Sequence, residues 1–349
     1  MLFTSIRNFY ATLASVSCCC IALAVVSSCD QKRPTPDWRT FGELSPSATV
    51  SGPAIPTAPL AQPATVTKSE IVVRSPHGLR FICYNVENWL SMERYIDSSP
   101  VKDAPKPERE KQAVIKILAR HAPDVIGLSE IGKPEDLADI QDRLKMAGHH
   151  FPHSYYTGGS DPTRHLGFLS RFPIVATVKP AQMEYQLAGR THAINRGILD
   201  AAIEVNDKFY RFIGVHLKSK RESEQGDQEE IRLMEARLLR RHVNLIYQDD
   251  ANARLIIYGD FNDTRGTVTF KTITGNLHDS TYLTAISAKD SHGEAWTHHW
   301  VPRDIYSRID FITVSRALRN EVNSSAVKII DDAEWSEASD HRPLLIIFK

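Results

Sequence analysis

The chain has 349 residues, with 42 lysines and arginines against 42 aspartates and glutamates. That balance provides no global field to draw in nucleic acid or an anionic membrane, which argues against a tight sequence-independent DNA binder. It leaves room for a nuclease served by a local basic rim and a metal ion, and the length suffices for one large core.

Arg7 precedes a mostly apolar stretch ending at Ala24-Val25-Val26-Ser27-Ser28-Cys29. An apolar segment followed by small residues reads as a secretion signal over residues 1–29. Val26-Ser27-Ser28-Cys29 resembles the bacterial lipobox, whose cysteine becomes a lipidated N-terminus. The alternatives are a plain signal cut near Ser28 or a single membrane anchor, although the stretch is short for a spanning helix. The expectation is a periplasmic or cell-surface lipoprotein tethered through Cys29 without crossing the bilayer, with secretion as the alternative. Beyond Cys29 only Cys83 remains, inside an apolar run, so it reads as a small buried hydrophobe. Residues 30–69 are rich in Pro, Ala, Ser and Thr and read as an extended, disordered spacer.

The remaining domain, residues 70–349, alternates short apolar runs with amphipathic segments. Phe81-Ile82-Cys83-Tyr84 leads into Asn85-Val86-Glu87-Asn88. Glu108 to His121 places Val114, Ile115 and Leu118 at helical spacing, and Pro123 helps to stop it. Asp124 to Ser129 is strand-like and ends at Glu130. Arg196 precedes the strand-like Gly197 to Ile203. Phe209 to Val215 ends at His216-Leu217-Lys218-Ser219-Lys220, and Glu229 to Tyr247 has a second helical pattern.

The most telling run is Leu255-Ile256-Ile257-Tyr258, which ends in Gly259-Asp260-Phe261-Asn262. A β-branched run ending in Gly-Asp delivers a carboxylate to a strand end, and residues two apart in extended chain point the same way. Asp260 offers a negative oxygen and Asn262 a neutral amide, a pairing suited to phosphoester chemistry. Arg308 and Asp310 open another strand, and Ser339-Asp340-His341-Arg342-Pro343 precedes the apolar Leu344 to Phe348. Two adjacent histidines, His298 and His299, would point apart on a strand and make no metal pair.

Taken in order, these strand ends resemble the endonuclease/exonuclease/phosphatase superfamily over about residues 78–349. Asn85 matches its first-strand Asn, Glu130 its metal-binding Glu, His216 its central His, and Asp260 with Asn262 its Gly-Asp-Phe-Asn. Asp310 sits in a Ser-Arg-Ile-Asp motif and Asp340-His341 in a Ser-Asp-His motif. The resemblance implies an α/β fold, a four-layer sandwich of two stacked mixed β-sheets flanked by helices, with strand ends from both sheets meeting at one rim.

The resemblance also implies the roles. Glu130 would ligate Mg²⁺, or Mn²⁺, with Asp340 binding directly or through water and Asn85 orienting the metal shell. Asp310 would orient His341, the candidate base or phosphate-oxygen partner, and His216 would donate toward the phosphate or leaving group. Asp260 would hold or deprotonate the water, leaving the choice of base between Asp260 and His341 open, and Asn262 would hold the phosphate. Lys218, Arg196 and Arg308 are candidate substrate contacts, and both histidines are expected at strand ends facing solvent. The leading expectation is a monomeric, exported, Mg²⁺-dependent nuclease acting on nucleic acid or another phosphodiester. A phosphatase or phospholipase C-type enzyme acting on sugar or lipid phosphates is the alternative. A binding module without chemistry is disfavoured by the full set of polar strand ends.

Overall fold

A computed structural model describes residues 77–222 and 226–349. The signal segment, Cys29 and the linker expected from the sequence lie outside the described residues.

Strand β1 (Leu79–Trp89) runs into a hairpin of β2 (Met92–Ile96) and β3 (Ser99–Ala104), and α1 (Glu108–His121) returns the chain to β4 (Val125–Ile131). Helix α2 (Pro134–Met146) leads to β5 (His153–Thr157), β6 (His165–Ser170) and β7 (Ile174–Thr177). A second hairpin, β8 (Glu184–Leu187) with β9 (Arg190–Ala193), precedes β10 (Ile198–Val205) and β11 (Lys208–His216). Then come α3 (Gln228–Asp249), β12 (Leu255–Asp260), α4 (Val268–Thr274) and β13 (Thr284–Ala285). A short ribbon, β14 (His298–Trp300) with β15 (Ile305–Ser307), precedes β16 (Asp310–Val314). The chain finishes with β17 (Lys328–Ile329), α5 (Trp335–Ala338) and β18 (Leu344–Phe348).

Two six-stranded sheets carry the fold, in the orders β17-β18-β1-β4-β6-β5 and β13-β16-β12-β11-β10-β7. Each is mixed: β1–β4 and β11–β12 pair in parallel, while β1–β18 and β12–β16 pair antiparallel. The strands read as unbroken apolar runs because both faces are covered. On β1, Phe81 and Cys83 face the opposing sheet, while Ile82 and Tyr84 join the cluster under α1 and α2. Phe81 meets Phe212 and Tyr258 at 4.9 Å between ring centroids, so the inner faces interlock. On the far side, Leu239 and Val243 of α3 and Phe270 of α4 cover Ile213, Val215 and Ile257. Fully burying one such side chain contributes about 1.5–3 kcal/mol, more than the ~1 kcal/mol span of strand propensity. Sheet stacking therefore decides which face turns inward. The expected four-layer sandwich is the observed one.

Helix α1 spans the residues its periodicity predicts and ends at Ala122, whose φ of 41° is left-handed, just before Pro123. Helix α3 begins at an Asp227 cap that accepts from the Glu229 and Glu230 amides, and it extends slightly past the predicted range at both ends. Helix α2 was not singled out in the sequence, yet it carries the usual start signal: Pro134 in its first turn and Asp136 accepting the Lys133 N–H at 2.7 Å. Cys83 lies in the inter-sheet core, as expected.

One close approach between the sheets constrains the sequence. The Tyr258 ring lies over Gly127 of β4 so that a Cβ there would overlap the ring. A Cβ on Gly214 would stand 2.7 Å from the Tyr258 hydroxyl. Gly127→Ala is thus expected to lower unfolding stability by about 1–3 kcal/mol in urea denaturation. Pairing it with Tyr258→Leu should recover part of that loss; additive losses would show that the ring is not the obstacle.

Candidate active site

The pairing of three strands sets the site's floor. Across β11, β12 and β16, His216 is the register partner of Asp260 and Asp260 of Asp310. Register partners point to the same face, so these three side chains stand abreast at one sheet end. Gly259 permits this: its φ of 131° is closed to most side chains, and a Cβ would overlap the Val215 carbonyl. From the other sheet come Asn85 of β1 and Glu130 of β4, and His341 follows from the segment between α5 and β18.

Asn85 joins the two halves. Its Nδ2 lies 3.3 Å from Glu130 Oε1, 3.3 Å from Asp260 Oδ2 and 3.4 Å from His341 Nε2. An amide has two N–H groups, which the Glu130 and Asp260 oxygens accept at long distance; His341 Nε2 accepts from Asn85 only in the neutral ring and in the cation stands beside it as a second donor. The Asn85 carbonyl accepts from Ser339 Oγ at 2.8 Å, and that oxygen accepts the His341 N–H at 3.0 Å. His341 Nδ1 meets Asp310 Oδ2 at 2.8 Å, which turns Nε2 toward Asp260 at 3.7 Å. Thr297 Oγ1 accepts the Asp310 N–H at 3.1 Å. Asp260 Oδ1 accepts the Asn262 N–H at 2.8 Å, which leaves Oδ2 to face Asn85, His216 and His341. His216 Nε2 stands 3.5 Å from that oxygen, and its Nδ1 has no hydrogen-bond partner.

The backbone is strained where these groups emerge. Glu130 has φ 65° and Asn262 φ 50°, both left-handed, as are Glu87 and Asn88 beyond β1's site residue. Each such residue costs about 1–3 kcal/mol and persists only when its surroundings fix it. The Asn88 N–H holds Glu130 Oε2 at 2.9 Å, and the Asn262 amide donates to the Leu217 carbonyl at 2.9 Å.

Electrostatics separate the roles. Burial, then the charge of Asp310, pushes the Asp260 carboxyl up to about 7. Burial alone would lower His341, but Asp310 and then Asp340 overcome it and hold the imidazole well above its usual range. His216 goes the other way, pushed well below by burial and then by the nearby Arg196. The site thus holds one imidazole favouring the cation and one favouring the neutral ring.

The donor set suits a hard divalent cation. Glu130, Asp260, Asp310 and Asp340 bring four carboxylates to one rim, and Asp260 is driven toward protonation by burial and then by the charges of Asp310 and Glu130. Carboxylate oxygens of this kind suit a divalent cation, and His341 adds a nitrogen to the set. Among the described residues, the groups whose donor atoms lie within 4.8 Å of one another are Asp260, Asp310 and His341, and His298, Asp340 and His341; Glu130, the ligand expected from the sequence, is in neither. Asp340 sits beside His298, 3.6 Å from Nε2, and its N–H donates to Glu87 Oε2 at 2.9 Å. Burial, then Asp340, pushes the Glu87 carboxyl up to about 7.

The remaining residues fall into place unevenly. The two candidate histidines, His216 and His341, are buried, at 3% and 5% exposure, rather than facing solvent as the sequence predicts, because both are packed around Asp260, at 3.5 and 3.7 Å from its Oδ2. Lys218 and Arg196 are also buried beside His216. Arg308, expected as a substrate contact, donates from its guanidinium to the carbonyls of Asp310, Ala288 and Ala295 and packs over Phe311. It braces β16. The sequence reading missed Arg164, whose Nε is 3.7 Å from Glu130, and Glu235, a fully buried acid on α3. His298 turns to His341 while His299 stacks on Tyr306, so the pair does point apart.

Residues 98–341 match the Endonuclease/Exonuclease/phosphatase family. No curated protein matches the chain in sequence. Among solved structures, the fold resembles an endonuclease/exonuclease/phosphatase family protein from Leptotrichia buccalis C-1013-b, at 16% identity and TM-score 0.54, covering 78% of this chain and 99% of that one. It is similar to sphingomyelinase C from Streptomyces griseocarneus, at 14% identity and TM-score 0.55, over 78% of this chain and 99% of that one. The human Nocturnin catalytic domain aligns at 17% identity and TM-score 0.54, over 79% of this chain and 96% of that one. At such identities these structures establish the fold, whereas the family match spans most of the chain and every polar strand end from Glu130 to His341. The chain belongs to the endonuclease/exonuclease/phosphatase family, whose members are metal-dependent phosphoesterases.

Proposed function

We propose that this protein is a Mg²⁺-dependent phosphodiesterase, foremost a nuclease that works outside the cytoplasm. The reading rests on one observation: the Asn85 amide gathers Glu130, Asp260 and His341 within 3.4 Å, with His341 held by Asp310. A phosphodiester is shielded by its own charge, so hydrolysis needs cationic relief, a positioned water and help for the leaving oxygen.

An ion held by Glu130, Asn85 and Asp340 would neutralise charge on the phosphoryl oxygens. The protein's own groups do the rest. Asp260, whose Oδ1 takes the Asn262 backbone N–H and whose Oδ2 faces Asn85 and the two histidines, orients the water and takes its proton on Oδ2. The Asp310 carboxylate favours the cationic form of His341, whose Nε2 donates to a phosphoryl oxygen as charge builds. Neutral His216 offers an N–H on the other side of Asp260. Asn262 is fixed by Leu217 and supports the same edge.

A second reading has a specific observation behind it. The β14–β15 ribbon beside His341 exposes Trp300, Val301, Ile305 and Tyr306. Aromatic and aliphatic residues at a ribbon tip suit a lipid–water boundary, and so a phosphodiester in a lipid headgroup. Among the described residues no helix is long and apolar enough to cross a membrane. Export and anchoring rest on the sequence, through Cys29.

The purified chain, assayed with Mg²⁺ on bis-p-nitrophenyl phosphate, plasmid DNA, RNA and sphingomyelin, decides between these readings. Diester hydrolysis should vanish in EDTA and return with Mg²⁺ or Mn²⁺; full activity in chelator would sink the mechanism. Faster cleavage of nucleic acid than of sphingomyelin is expected, and the reverse order selects the lipid reading.

His341→Ala and His216→Ala should each reduce turnover by about 10²- to 10⁴-fold. Asp310→Asn should cost less, since it acts through His341. Because both histidines are buried, thermal midpoints should be measured alongside, with His341→Gln as a closer replacement in size. A near-wild-type rate for folded His341→Gln would show that the roles sit on the wrong residues.

In a bacterial host, Cys29→Ala should move the protein out of the membrane fraction or block its maturation. Identical fractionation of mutant and wild type would remove the lipoprotein reading.

A further inference from the structure

Arg196 is only 8% exposed, and neither its Nε nor its Nη1 has a hydrogen-bond partner. Asp161 faces it with Oδ2 at 3.2 Å from Nε, a charge pairing without hydrogen-bond geometry. Buried donors left idle are costly, so a guanidinium kept in this state is placed for something that the folded chain does not itself supply.

The surroundings are constructed to hold it. The Ser160 and Asp161 amides donate to the Ile194 and Asn195 carbonyls at 3.1 and 2.8 Å, joining two loops on either side of Arg196. Asp161 Oδ1 accepts the Thr163 and Arg164 amides at 2.9 and 3.2 Å, so the acid opposite Arg196 also shapes the turn that presents Arg164. Arg164 Nε then stands 3.7 Å from Glu130. On the opposite wall Glu235, fully buried on α3, takes the Asn195 N–H on Oε1 at 2.8 Å and the Lys218 N–H on Oε2 at 2.7 Å. One carboxylate therefore fixes the backbone immediately before Arg196 and at Lys218, two residues past His216. The cations feel one another: after burial, Arg196 is the next cause lowering the Lys218 ammonium, and Arg196 and Arg164 both lower His216. Glu235 and Asp161 offset part of that positive charge, but the two idle N–H positions of the buried Arg196 guanidinium stay open, and a guanidinium fork matches phosphate oxygens.

We propose that Arg164, Arg196 and Lys218 form a second-anion subsite, which binds a phosphoryl group of the substrate other than the one being cleaved. The proposal rests on the phosphodiesterase reading and narrows it to substrates with two phosphates close together, either neighbouring nucleotides or a bisphosphorylated polyol. Sphingomyelin, with one phosphate, leaves the subsite empty.

The full chain with Mg²⁺ should be given thymidine 5′-(p-nitrophenyl phosphate) and the same compound phosphorylated at the 3′ position. The second phosphate should raise kcat/KM by about 10- to 100-fold in the wild type. Arg196→Gln should bring that ratio close to one, and Lys218→Met should reduce it; any general loss of activity cancels in the ratio. A wild-type ratio near one overturns the subsite. Calorimetric binding of thymidine 3′,5′-bisphosphate against thymidine 5′-phosphate supplies an arm that needs no turnover. A wild-type preference for the bisphosphate that Arg196→Gln abolishes supports the subsite even if neither ester is hydrolysed, in which case the phosphodiesterase reading falls alone. Equal affinities overturn the subsite. Repeating the comparison with myo-inositol 1,4-bisphosphate and inositol 1-phosphate identifies the source: a larger advantage there assigns the subsite to polyol phosphates, a larger one with thymidine to nucleotides.

Discussion

The lateral register of β11, β12 and β16 is what the site depends on. Hydrogen bonding across these strands places His216, Asp260 and Asp310 side by side, and a one-residue slip would send one of them into the core. The second constraint is the distance between sheets, set by the interlocked Phe81, Phe212, Phe168 and Tyr258. Only with both fixed can the Asn85 amide reach Glu130, Asp260 and His341 together. The site is thus a property of sheet packing as much as of any loop.

Charge arrangement follows a consistent pattern. Carboxylates concentrate on the floor, where Asp260 and Asp310 are buried neighbours, and cations gather at one wall, where Arg196 and Lys218 are buried. Each group alone would be unfavourable in that setting. Asp310 has a hydrogen-bonded partner in His341, whereas Glu130 and Asp260 meet Arg164 and His341 only at 3.7 Å, and Arg196 faces Asp161 without a hydrogen bond from Nε or Nη1. A divalent ion and an anionic substrate are complementary answers to the same imbalance.

Much of this was legible beforehand, for physical reasons. Strands buried on both faces leave unbroken apolar runs, so the sites where they stop, at Asn85, Glu130, His216 and Asp260, stand out in the sequence. The helix Glu108–His121 announced itself by spacing and by Pro123. Other features left weaker marks. The start of α2 was written in Lys133-Pro134 and Asp136, but its apolar stripe of Leu137, Ile140 and Leu144 is sparse. Glu235 lay inside a charged helical run and looked like part of a solvated face; only the tertiary fold shows it receiving two backbone N–H groups. Arg164 has no strand end to mark it. The backbone bonds of Arg308 were not legible, because sequence adjacency to Asp310 says nothing about carbonyls contributed by Ala288 and Ala295.

The strand order has a consequence for how this chain is made. β1 lies between β4 and β18, and β18 in turn carries β17, so the first strand of the domain keeps an unpaired flank until the last one arrives. Phe81 and Ile82, which pair with Ile346 and Leu345, would present open backbone and apolar side chains throughout synthesis. Closure between sequence-distant strands is slow, since the chain must be ordered over its whole length before the contacts form. Folding of this domain therefore waits for β18, and a chain stalled or cut before Leu344 leaves a sticky sheet edge rather than a smaller working domain.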